Sequence, residues 1–319
     1  MISTVHSFGQ EPADDADWKR YSYVLQSSTL EWLPSQPFFL KADYQLYDLE
    51  GHPTVNGTVE ETWPAGKTRQ IQIHSLSLTG EEPPGDEGRA HSREDYLVRQ
   101  ALSSIVRPFP SATPHNEFRL EVAQNIAKVQ FHCFSIVPPR ITSMASDLSY
   151  CTNDDNQIVA ITGPEFVVDR EDFRRFRGHE VPMTVNLSYL GEPSLSLHVT
   201  ELDELQPVTS ASITDTKKSS NSQTHISADV MVGNLIKHKN PKYPSEAKVK
   251  KISGTVVLTA LITSEGSITG LDVIASPHPL LAKSAVDAVQ KWKYRPYTLN
   301  GKPVAVETTI SVHYNIGSN

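Results

Sequence analysis

The chain has 319 residues and a mass of 35.4 kDa, which suits two domains better than one small core. Apolar residues make up 38% and charged residues 21%, which excludes a coiled coil and a highly charged disordered chain. A formal net charge of −8 and a pI near 5.8 speak against nucleic acid as the main partner, because that role needs Lys and Arg to neutralise phosphates.

The opening MISTVHSFGQEPADD lacks a charged start and an apolar centre, yet its small and polar SFGQEP resembles the tail of an export signal. Met1 is therefore expected to lie inside a longer signal peptide, truncated or mis-started, and the protein to be periplasmic. No apolar run approaches the ~18 residues that span a bilayer, so no membrane span is expected. From Asp14 to Leu33, Trp18, Tyr21, Leu25 and Leu30 fall at roughly helical spacing and predict a helix. At Phe38 the period changes to two. FFLKADYQLYDL, VNGTVEETW and TRQIQIHSLSL alternate apolar and polar residues between the turns EGHPT and PAGK, the pattern of an antiparallel meander.

Glu81 to Ser92 reads as a surface loop, and Glu94 to Val106 as a helix with Tyr96, Leu97, Ala101, Leu102 and Ile105 on its apolar side. Further strands follow in FRLEVAQ, AKVQFHCFSIV, LSYCTN, QIVAITG, MTVNLSYL and SLSLHVTEL. The class is α+β, built on one large antiparallel sheet. The two cysteines, Cys133 and Cys151, flank a turn-rich stretch between strand-like runs. They are either a disulfide, worth ~3 kcal/mol for a loop of about 20 residues in an oxidising compartment, or two buried thiols. Without a CxxC, neither redox catalysis nor Cys-based zinc binding is supported.

The order helix, strand, turn, strand, Trp-Pro turn, strand, with Gly57, Trp63 and Arg69 in sequence, resembles the lipoprotein-carrier fold of the LolA and LolB type. The resemblance implies a half-barrel sheet around helices over residues 1–204, with an apolar cavity that can take an acyl chain. A lipid or lipoprotein carrier, or a scaffold with a filled core, is the corresponding functional reading. Residues 205–225 are rich in Ser and Thr without apolar period and read as a linker. Charge changes sign across it: residues 226–319 carry 11 Lys and Arg against 6 Asp and Glu, leaving 18 against 31 before them. The basic cluster Lys237, Lys239, Lys242, Lys248, Lys250 and Lys251 reads as a solvated face.

From Ile226 the order is a helix-like segment, strand, turn, strand, helix, strand. GTVVLTALIT and ITGLDVIAS flank a hairpin turn at Gly266; Leu281, Ala285, Ala288, Val289 and Trp292 are spaced as in a helix that starts near Pro279. In the last strand Val304, Val306, Thr308, Ile310, Val312 and Tyr314 alternate with Ala305, Glu307, Thr309, Ser311 and His313. Pro241, Tyr243, Pro244, Ala247, Gly254, Gly266, Ser276, Leu281, Ala285, Trp292, Tyr294, Pro296, Gly301 and Val304 together resemble the C-terminal domain of the energy transducer TonB, over residues 226–319. That resemblance implies a small βαβ-type domain with a three-stranded antiparallel sheet. It also implies that the last strand, Val304 to Tyr314, accepts as an added strand the extended peptide of an outer-membrane transporter or another envelope protein. No membrane helix or Pro-rich spacer is seen, so energy transduction is not expected, and the module is read as a passive docking domain with a link to TonB-dependent transport.

Catalytic patterns are missing: there is no HExxH, GxSxG, Walker or GxGxxG sequence. Asp154 and Asp155 sit in a turn; Glu60 and Glu61 are strand neighbours that face opposite sides; His278 suits a helix start. The protein is expected not to be an enzyme and to need no cofactor or metal, with a hydrolase using the sheet cavity as the remaining alternative.

Overall fold

The alternating segments are strands in the computed structural model, which describes residues 11–12, 15–30, 37–63, 70–77, 92–109, 117–120, 124–126, 129–137, 148–163, 165–205, 224–225, 234–299 and 301–316. The expected signal remnant up to residue 10, the linker from 206 to 223 and most of the loop at 81–92 lie outside the described residues. By contacts the chain divides into Met1–Glu82 with Leu97–Thr214, and Pro83–Tyr96 with Asp215–Asn319.

In the first unit the elements are β1 (Glu11–Pro12), α1 (Asp15–Ser27), β2 (Phe38–Tyr47), β3 (Pro53–Trp63), β4 (Gln70–Ser77), α2 (Arg93–Val106, from Leu97 onward in this unit), β5 (Glu117–Leu120), β6 (Gln124–Ile126), β7 (Val129–Val137), β8 (Ser149–Thr152), β9 (Ile158–Thr162), β10 (Phe166–Phe176), β11 (His179–Tyr189) and β12 (Glu192–Glu204). They form a 12-stranded sheet in the order β1-β5-β7-β8-β9-β10-β11-β12-β2-β3-β4, with β6 beside β7. Alternation decides which face is covered. Along β2, Phe38, Leu40, Ala42, Tyr44 and Leu46 are buried, and their neighbours less so. Gly57 stands opposite Tyr44, and a Cβ there would lie 2.2 Å from the ring, so the absent side chain makes room for the tyrosine. Between β10 and β11 the turn residues Arg177 and Gly178 both have positive φ, the left-handed pair that suits the twist of a two-residue hairpin.

Helix α1 buries Tyr21 and Val24, where Leu25 had been expected, and ends at Ser27 rather than near Leu33. Residues 31–33 are outside the described set. Helix α2 buries Leu97, Val98, Ala101, Leu102 and Ile105, with Tyr96 only half-buried. Tyr21, Phe109, Phe134 and Tyr150 make an aromatic cluster, with ring centroids of neighbours 4.2–5.6 Å apart. Cys133 and Cys151 face each other directly across β7 and β8 and are bonded.

The second unit contains β13 (Thr224–His225), β14 (Leu235–Lys237), α3 (Ser245–Val249), β15 (Gly254–Ile262), β16 (Ile268–Ala275), α4 (Pro279–Val289), β17 (Lys293–Tyr294), β18 (Tyr297–Leu299), β19 (Lys302–Val304) and β20 (Val306–Tyr314). Its main sheet has the order β13-β20-β15-β16; β14 pairs with β17, and β18 with β19. The core is drawn from Ala247, Val256, Leu258, Ala260, Ile262, Leu281, Ala285, Val289, Tyr294, Val306, Ile310, Val312 and Tyr314. The antiparallel part is three-stranded, as expected, and β13 adds a two-residue parallel strand at its border.

Candidate functional site

Strand β20 is held on one side by β15 through nine consecutive antiparallel pairs, from Ile262↔Val306 to Gly254↔Tyr314, without a register shift. Its other side meets only β13, through Thr224↔Val306 and His225↔Glu307 in parallel orientation. From Thr308 to Tyr314 that second side has no strand partner among the described residues. An unpaired strand edge presents a row of main-chain donors and acceptors, the elementary requirement for adding a further strand. The opposite border of the sheet, β16, is less regular. Its pairing with β15 shifts register twice, and Gly270 within it has a φ of 56°. Such bulges spoil a border as a template, so β20 is the regular one.

The side chains of β20 fix its orientation. Val306, Thr308, Ile310, Val312 and Tyr314 point into the core, whereas Glu307, Thr309, Ser311 and His313 line the opposite, polar face. On that face the Thr259 hydroxyl reaches Glu307 Oε1 at 3.3 Å, and Thr255 Oγ1 lies 2.9 Å from His313 Nδ1. Not every residue expected in the strand belongs to it. Val304 is the last residue of β19, paired with Tyr297, and Ala305 lies between the two strands.

The other residues singled out in the sequence support this sheet. The Tyr243 hydroxyl donates to the Ile252 carbonyl, and its ring meets that of Tyr314 edge-on at 5.4 Å. Pro244 is the N-cap of α3, with extended backbone that a proline adopts readily. Trp292 follows α4 rather than closing it, and its indole N–H donates to Lys239 O at 3.0 Å. At Gly266 the φ is 76° and a Cβ would lie 1.8 Å from the Tyr294 carbonyl oxygen; Tyr294 N–H in turn donates to Gly266 O at 2.9 Å. The β15–β16 hairpin tip is thereby tied to β17. His278 caps α4, its ring nitrogen accepting from Leu280 N–H. Pro241 is half-buried, Gly254 begins β15 and Pro296 lies beside the hairpin tip.

The rejected carboxylate pairs are also accounted for. Glu60 faces out and pairs with Lys41 at 3.1 Å, while Glu61 is buried and accepts from the Trp63 indole. Among the described residues one group, Asp48, Glu50 and His52, brings three possible metal ligands together, but Asp48 Oδ1 accepts the main-chain N–H groups of Glu50 and His52 and so closes the β2–β3 turn. Sequence reasoning missed β13, for which two polar residues gave no periodic signal.

A three-stranded antiparallel sheet with a helix beside it, and with one long, regular border that is mostly unpaired among the described residues, defines a small α+β module. Residues 239–316 match the family described as Gram-negative bacterial TonB protein C-terminal. Protein TonB of Vibrio cholerae is 30% identical over 77 residues, which are 24% of this chain and 32% of that relative. The chain spans about a third of the length of the curated relatives it matches. The TonB CTD of Pseudomonas aeruginosa, solved in solution, is 29% identical, with 27% of this chain and 87% of that one covered and a TM-score of 0.24. A LolA superfamily protein from Nitrosomonas europaea is 11% identical, with 59% and 94% covered and a TM-score of 0.34.

Proposed function

We propose that the second unit is a non-catalytic docking module of the cell envelope, which takes an extended segment of an outer-membrane transporter or another envelope protein as an extra strand along β20. The observation that carries this is the nine-pair register with β15 on one side of β20 against two pairs with β13 on the other. Main-chain hydrogen bonds supply affinity in this mode, and the side chains beside the edge supply selectivity. The match of residues 239–316 to the TonB C-terminal family supports a link to transport across the outer membrane. The bonded pair Cys133–Cys151 supports an oxidising compartment such as the periplasm.

The test is a titration of the ¹⁵N-labelled protein with peptides from the N-terminal segments of outer-membrane transporters. Slowed amide exchange and shifts confined to Thr308–Tyr314 and their β15 neighbours are expected. Shifts that map to the β16 border instead would refute the assignment. Proline in place of Ile310 is unsuitable as a probe, because Ile310 is buried against the core and its loss would unfold the module.

A further inference from the structure

Strand β10 reads FVVDREDFRRF, with six charged residues in eleven. Alternation turns Asp169 and Glu171 outward to solvent, but it places Arg170 between them on the covered face. The Arg170 side chain is 1% exposed. A buried cation is normally paired with a carboxylate that satisfies its donors. Among the described residues Arg170 has no such partner. Its Nη1 donates to the Ile158 carbonyl at 2.9 Å, and the guanidinium lies 5.7 Å from the centre of the Phe173 ring. Nε and Nη2 are buried and donate to nothing. Burial pushes the group down to about 9, and no carboxylate among the described residues opposes the shift.

The two unsatisfied nitrogens are not scattered. Nε–H and the adjacent Nη2–H point the same way along one edge of the planar guanidinium, the edge that grips a carboxylate or phosphate through two parallel hydrogen bonds. The third nitrogen is the one already used on Ile158, so the whole fork is left open and the arginine is anchored behind it. A second donor shares this face. Tyr150 pairs with Ile161, and Ile161 with Val168, two residues before Arg170 on the same side of β10. The Tyr150 hydroxyl is buried, has no hydrogen-bond partner, and is held in its neutral, donating form by burial.

We propose that the covered face of the large sheet is a binding site for an anionic oxygen group, a carboxylate or a phosphate, received side-on by Nε and Nη2 of Arg170 with the Tyr150 hydroxyl as a further donor. The group belongs either to a free small anion or to the headgroup of an amphiphile, and both present the same pair of oxygens to the fork.

Thermal unfolding of the full chain separates the sources. Inorganic phosphate is compared with chloride at equal ionic strength, and dodecanoate with uncharged dodecanol. A rise in Tm with phosphate alone identifies a free anion; a rise with dodecanoate and not with dodecanol identifies an amphiphile headgroup. Arg170→Met is expected to abolish the rise, without lowering the ligand-free Tm, since methionine fills similar volume and removes an unpaired buried charge. The Arg170 Nε–H resonance of the unmodified protein gives a readout that needs no variant, and it should move downfield as the effective anion is added. An unmoved Nε–H signal, a Tm rise no greater than that of the controls, or a rise retained in Arg170→Met would overturn the proposal.

Discussion

Gly266 has no space for a side chain, because its missing Cβ would fall on a main-chain oxygen rather than on a flexible group that can step aside. Gly266→Ala is therefore expected to cost about 2 kcal/mol, from the close approach and the positive φ together, and to lower the unfolding midpoint of the second unit by several degrees. Gly57→Ala in the first unit meets a side chain, the Tyr44 ring, and should cost about 1–3 kcal/mol; Tyr44→Phe in the same background restores part of it if the hydroxyl is the clash. Tyr294 gives a pH signature. Burial raises its hydroxyl from 10.0 to about 12, so the folded state keeps a proton that the unfolded chain releases. That contribution is complete below pH 10 and is lost as the pH climbs through 12. Tyr150 and Tyr314 shift the same way, so Tyr294→Phe should flatten only part of the alkaline fall in stability, measured by circular dichroism melts below, within and above this interval.

Among the elements, β7 and β8 carry a covalent link as well as a ladder. The cysteines are separated by 18 residues, and a loop of that length implies about 3 kcal/mol of stabilisation on closure. The double variant Cys133→Ser/Cys151→Ser should melt well below the parent, and the untreated protein should show no reactive thiol in an Ellman assay until it is reduced. The sequence offered the pair but left it open, since only the register of two strands brings the sulfurs opposite each other. Strand β20 was legible because its period-two pattern is clean. Its start was not: Val304 fits the pattern equally well, and a hairpin with β18 takes it away. Arg170 shows the same limit. Alternation along FVVDREDFRRF is blurred by charge on both faces, and nothing local marks the inward arginine among its outward neighbours.

For the molecule as a whole, the core of the second unit, among the described residues, is drawn from residues 235–314. Residues 234–316 expressed alone should consequently fold, giving a dispersed amide spectrum and a cooperative melt; a collapsed spectrum would show that the boundary lies further upstream. The C-terminal unit was readable in detail because turn glycines, prolines and large aromatics mark each of its junctions, as Gly266, Pro244 and Trp292 do. The large sheet was readable only as a class, since its strand order brings β12 beside β2 across most of the unit's sequence, and no local pattern specifies such a pairing. The unequal borders of the small sheet carry one further consequence. With a straight ladder on one flank and a twice-slipped one on the other, the proposed docking would have a valency of one: two copies that met flank to flank would close into a pair, with no second regular flank from which a fibre could grow.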